Sequence, residues 1–132
     1  MPDSPHHIRS RFDTALNALR NDVLMMAGLS EGVLANATDG LLRRDTGLCN
    51  QAVATDEQID ALEKEIDRVG VQLLIRFQPV ASDLRRVIST MKLSVDLERV
   101  ADESVAIARR ASQLNLEPAV PEVALVEPLG SV

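Results

Sequence analysis

From Ile8 onward, apolar side chains return at helical spacing, at Phe12, Ala15, Leu16, Leu19, Val23, Met26, Leu29 or Ser30 in its place, Val33, Ala37 and Leu41. The pattern holds for about nine turns, where an ordinary globular helix has about three. A helix of that length buries its apolar stripe only against elements of similar length, so it predicts a bundle of long helices packed lengthwise. A second line, Ala52, Thr55, Ile59, Leu62, Ile66, Val69 and Leu73, predicts a helix from Leu48 or Val53 to Phe77. Pro79 breaks it and suits the first turn of a third helix running to about Leu114. No stretch sustains the alternation of a strand. The expected fold is all-α, an antiparallel three-helix bundle running up, down and up.

The 132 residues fit one domain, and only 2% of them are aromatic, so aliphatic side chains must do the packing. Gly47, in RRDTGL, marks the expected first turn. Asp3, Ser4 and Pro5 offer a helix start, but residues 1–7 read as a flexible N-terminus ahead of the domain at 8–115, with His6 and His7 incidental. Pro118, Pro121 and Pro128 forbid a long helix in 116–132, which reads as a tail whose valines and leucines suit a groove, such as that of a neighbouring subunit.

Lys and Arg number 14 against 20 Asp and Glu, a formal charge of −6, which argues against a general nucleic-acid surface. Cys49 is the single cysteine, so an intrachain disulfide and a cysteine-based metal site are excluded, and cytoplasmic residence is the simpler expectation. No secretory leader or transmembrane segment is expected.

Function is written, if anywhere, in the carboxylates. TDEQIDALEKEIDRVG places Asp56, Asp60, Glu63 and Asp67 at spacings of four, three and four, one acidic stripe beside the apolar one. Like charges at these spacings repel, each pair costing roughly 0.2–0.5 kcal/mol. Glu98 and Asp102 form a second pair on the third helix. In antiparallel helices joined at Pro79, Asp60 and Glu98 each lie nineteen residues from it, about 28 Å along. Asp56, Asp60, Glu98 and Asp102 therefore occupy one level if the facing angles agree. Two readings stay open: a solvated face, moderated by Lys64 and Arg68, or a site for a divalent or trivalent cation. Arg85, Arg86, Arg99, Arg109 and Arg110 read first as solvated side chains, some bridging to Asp83, Asp96, Asp102 or Glu103, and orientation of a ligand by Arg99 is the lesser alternative.

Around the third helix, Val80, Leu84, Val87, Met91 and Val95 share a side with Glu98 and Asp102, while Leu93, Leu97, Val100 and Ile107 face the other way. Two apolar sides ask for a second surface beyond the bundle, and a homodimer supplies it most simply. Catalytic readings find no support. No dinucleotide or P-loop run occurs, no serine sits in a nucleophile elbow, and the only histidines precede the first periodic segment, which removes the ferritin-like ligand set.

RFQPVASDLRRVISTMKLSVDLERVADESVAIA, Arg76 to Ala108, closely resembles the signature region of the PhoU family, and the resemblance extends over about Ile8 to Leu114. It implies a regulator of phosphate uptake and phosphate-starvation signalling without chemistry of its own. Such a protein acts at the inner face of the membrane as an adaptor between a phosphate ABC transporter, through its ATPase, and a sensor histidine kinase. The family's acidic E(D)-x-x-x-D motifs are associated with iron or zinc. Glu98 to Asp102 matches one, and Asp56 to Asp60 and Glu63 to Asp67 are candidates for the other. Family members usually carry two three-helix repeats; one repeat here implies either two copies pairing or a protein that keeps one family partner and has lost the other. The alternatives are a carboxylate-rich metal-binding bundle and a structural dimerisation module without metal.

Overall fold

Three helices account for nearly all of residues 4–117, the residues that the computed structural model describes. They are α1, Pro5–Leu42, α2, Thr46–Phe77, and α3, Ala81–Asn115, of 38, 32 and 35 residues, or about 57, 48 and 52 Å. Each packs against both others. The connections, 43–45 and 78–80, are too short for anything but antiparallel neighbours, which gives the expected all-α three-helix bundle. The tail from 118 onward lies outside the described residues. No helix among the described residues is long and apolar enough to cross a membrane.

The ends are fixed by local chemistry. The Ser4 hydroxyl accepts from the His7 N–H at 3.3 Å with Pro5 opening the helix, so 5–7 form the first turn of α1 instead of a flexible segment. The first connection falls on Arg43, Arg44 and Asp45, and Gly47 lies inside α2. Arg44 adopts the left-handed backbone, φ 53°, and Asp45 caps α2 by accepting from the Leu48 N–H at 3.2 Å. Gly40 is needed for a different reason: a Cβ there would lie 2.5 Å from the Cys49 sulfur and 3.1 Å from its backbone nitrogen, so glycine lets the start of α2 close over α1. Arg44 then reaches the end of α3, donating to the carbonyls of Leu114, at 3.1 Å, Asn115 and Glu117, where a positive charge also complements the helix C-terminus. At the opposite end Arg9 pairs with Asp83, and Phe12 meets Phe77 edge to face at 5.6 Å.

The core follows a period of 3.5. On α1 the buried positions are Phe12, Leu16, Leu19, Val23, Met26, Ser30, Val33, Ala37 and Gly40, alternating steps of four and three, the seam of a coiled coil. On α3 the seam is Val87, Thr90, Ser94, Ala101, Ser104, Ala108 and Ala111, with Leu97 partly buried between. Leu97 thus packs on the core, correcting its placement on an outer face. The small side chains let α3 approach closely, and its hydroxyls turn back on their own helix. Thr90 donates to the Arg86 carbonyl, Ser94 to that of Met91 and Ser104 to that of Val100, each at 2.7 Å. Val100, Ile107 and Leu114 remain exposed at successive heptad positions.

Candidate metal centre

The seam of α2 contains the anomaly. Cys49, Ala52, Ile59, Ile66, Gly70 and Leu73 are buried, and continuing their alternation of three and four places Asp56 and Glu63 on the seam. Both are half-buried, sharing the seam with Thr55 and Leu62 instead of standing outside it. Asp60, also half-buried, lies one turn beyond Asp56, toward α3. Carboxylates at seam positions forfeit hydration that a leucine would not need, so their presence calls for a compensating charge.

α3 offers further carboxylates. Asp56, Asp60 and Asp102 each present one oxygen such that the three lie within 4.8 Å of one another. Glu98, half-buried, faces Glu63 and Asp60, with which it shares a hydrogen bond. Asp56 and Asp102 stand equally far before and after Pro79, as do Asp60 and Glu98, which is the register that folding back at that residue requires. Five of the six expected carboxylates therefore converge in two overlapping groups joined by Asp60. Asp67 does not join them: it is exposed and lines a shallow groove with Glu63, Met91 and Lys92.

The electrostatics register the crowding. Burial pushes the Asp56 carboxyl above its ordinary range, helped by the charges of Asp60 and Asp102 and opposed by Arg109. Oδ1 of Asp56 is buried and accepts no hydrogen bond among the described residues. Burial raises Glu98 to about 7, followed by the charges of Glu63, Asp102 and Asp60 and the hydrogen bond with Asp60. A free acceptor, three convergent oxygens and a carboxyl that resists ionisation fit a cation with oxygen ligands, such as iron, manganese, magnesium or calcium, and zinc also takes carboxylates. Asp56, Asp60 and Asp102 would hold it, with Glu63 and Glu98 beside them.

Among the described residues the cation whose charge reaches Asp56 is Arg109, and Arg99 does not contribute there. Arg109 follows Asp102 by seven residues, and that heptad interval is the sequence signal that marks it.

A raised carboxyl destabilises the fold in its ionised form. The folded chain binds the Glu98 proton more tightly than the unfolded chain, so this group's contribution to stability is fully present below about pH 4.5 and is lost as pH rises through about 7. Glu98→Gln should therefore stabilise the metal-free protein at pH 8 by roughly 1–3 kcal/mol, with the gap closing near pH 5. Thermal melts in chelator at both pH values decide it; parallel profiles for the two proteins would refute the assignment.

Comparison with known proteins places the arrangement. The family model described as PhoU domain matches residues 23–111. A Pseudomonas putida protein named phosphate-specific transport system accessory protein PhoU homolog is 46% identical over 109 residues, 83% of this chain and 43% of its own. The Escherichia coli accessory protein PhoU is 31% identical over 124 residues, 94% of this chain and 52% of its own. The crystal structure of PhoU from Pseudomonas aeruginosa superposes with a TM-score of 0.81 at 40% identity, covering 89% of this chain and 58% of that one. The chain spans about half the length of these relatives. With the family match covering most of its three helices and a solved relative sharing their arrangement, the chain belongs to the PhoU family.

Proposed function

We propose that this protein is a non-enzymatic regulator of phosphate uptake and of phosphate-starvation signalling. The observation that carries the reading is the 46% identity, over 83% of the chain, to a protein named for accessory action in phosphate-specific transport. In this reading the chain works on the cytoplasmic side of the membrane as an adaptor to the ATPase of a phosphate ABC transporter and to a sensor histidine kinase. Its removal from the host should raise phosphate uptake in phosphate-rich medium, and the purified chain should co-elute with the transporter ATPase. Uptake that stays unchanged would overturn the regulatory reading.

A metal forms part of the proposal. The support is the orphan Oδ1 of Asp56 beside the 4.8 Å group of Asp56, Asp60 and Asp102. Pairing of two copies is the other part, supported by the exposed heptad line Val100, Ile107 and Leu114 on α3. Native mass spectrometry of protein purified without tag or chelator reads both together. A metal-loaded dimer is expected; a metal-free monomer would remove both.

A further inference from the structure

We propose that a cleft between α1 and α3, on the side of α3 turned away from the carboxylates, is a binding site for a phosphoryl group. Its walls are Arg20 of α1 and Arg85, Arg86, Ser89, Thr90 and Leu93 of α3, bordering about 320 Å³ that opens broadly to solvent. Three arginines line it in a chain whose acidic residues outnumber its basic ones, 20 to 14.

What separates Arg20, Arg85 and Arg86 from the other arginines is that they line one cleft, two of them without a partner among the described residues. Arg9 engages Asp13 and Asp83, Arg44 holds the carbonyls ending α3, Arg68 pairs with Glu65 at 2.5 Å, and Arg76 lies over the Phe77 ring. Arg86 is tethered at 3.3 Å to Asp83, whose charge Arg9 already shares. Arg20 and Arg85 make no ion pair or hydrogen bond among the described residues. Asp83 is thus divided between two cations, and two further guanidinium forks keep their donors for something else.

The walls also select the ligand. The Thr90 hydroxyl is committed to the Arg86 carbonyl at 2.7 Å, whereas that of Ser89, one residue earlier, is exposed and makes no hydrogen bond among the described residues. Planar guanidinium forks pair with two oxygens at once, and a phosphoryl group brings up to two charges and three acceptor oxygens, enough for Arg20, Arg85 and Ser89 together. A carboxylate has two oxygens and one charge and would leave a fork unmatched. Leu93 supplies an apolar end, and the volume exceeds what a bare phosphate fills, which admits a phosphate monoester. Free phosphate compounds and phospholipid headgroups offer the same chemistry, and the test separates them.

Isotope-labelled full-length protein is titrated with inorganic phosphate against chloride at constant ionic strength, following the backbone amides of Arg20, Arg85 and Ser89. In parallel the protein is sedimented with vesicles of phosphatidylglycerol and of phosphatidylcholine. Saturable shifts with phosphate, weakened at least about tenfold in Arg20→Gln with Arg85→Gln, support a soluble phosphate ligand. Sedimentation with the anionic vesicles alone, lost in the same variant, supports a headgroup. Arg20, Arg85 and Ser89 are all at least partly solvent-exposed, so the variant folds, which its helical spectrum checks. Absence of saturation up to about 10 mM phosphate together with absence of vesicle binding, or responses equal in variant and wild type, overturns the site.

Discussion

Asp56→Asn combined with Asp102→Asn should reduce metal affinity by at least about 100-fold and at the same time raise the melting temperature of the metal-free protein. The two directions come from one cause. Asp56, Asp60 and Asp102 hold their oxygens within 4.8 Å, and Asp56 is already pushed up by burial and by its two neighbours. Loss of a group that merely orients a metal ligand costs about 10–100-fold in affinity, so loss of two of the three proposed ligands should reach or exceed the upper end of that range. Asparagine keeps the shape and one oxygen while removing the repulsion, each relieved pair contributing roughly 0.2–0.5 kcal/mol. A variant that loses metal because it unfolds would melt earlier, not later. Metal content by mass spectrometry and melting in chelator are both read; full metal content in the double variant would move the site elsewhere.

Much of this arrangement is legible in the amino-acid sequence. Nine turns of unbroken periodicity with short connections leave few folds besides an antiparallel bundle, and counting from Pro79 brings Asp60 level with Glu98. The departures on α3 have a physical origin in the size of its seam residues. The buried line is largely Thr90, Ser94, Ala101, Ser104, Ala108 and Ala111, which carry little apolar signal, so the larger apolar residues on either side read as the faces and Leu97 falls to the outer one. On α2 Asp56 and Glu63 take seam positions that hydropathy assigns to apolar side chains, while Asp67 is exposed. Arg109 is marked only by its heptad interval from Asp102.

The first turn departs from expectation on other grounds. Glycine is the usual residue for a left-handed backbone, which makes Gly47 the obvious candidate. Arg44 takes that conformation instead, at φ 53°, and its side chain gathers the carbonyls at the end of α3. A contact between residues seventy apart offsets the local strain, and no reading confined to a few neighbouring residues contains it. Likewise the arginine cleft needs α1 and α3 side by side before Arg20 can meet Arg85.

Ile59→Ala is expected to cost about 2–5 kcal/mol and to lower the melting temperature by about 6–20 °C. Ile59 is completely buried, and it stands on the α2 seam between Asp56 and Glu63. Truncation leaves a cavity walled on one side by α1 and α3 and on the other by carboxylates. If the layer is dry, the full cavity cost applies and Ile59→Val loses only about 0.5–1.5 kcal/mol, in proportion to the single methyl group removed. If water already reaches in along Asp56 and Glu63, it fills the space left by alanine and the loss falls below about 1 kcal/mol. The two outcomes thus distinguish a carboxylate cluster mounted on a closed core from one open through it. Denaturant melts of the two variants in chelator measure the difference, and a dry layer is the expected result, because the Oδ1 of Asp56 is itself shut off from solvent.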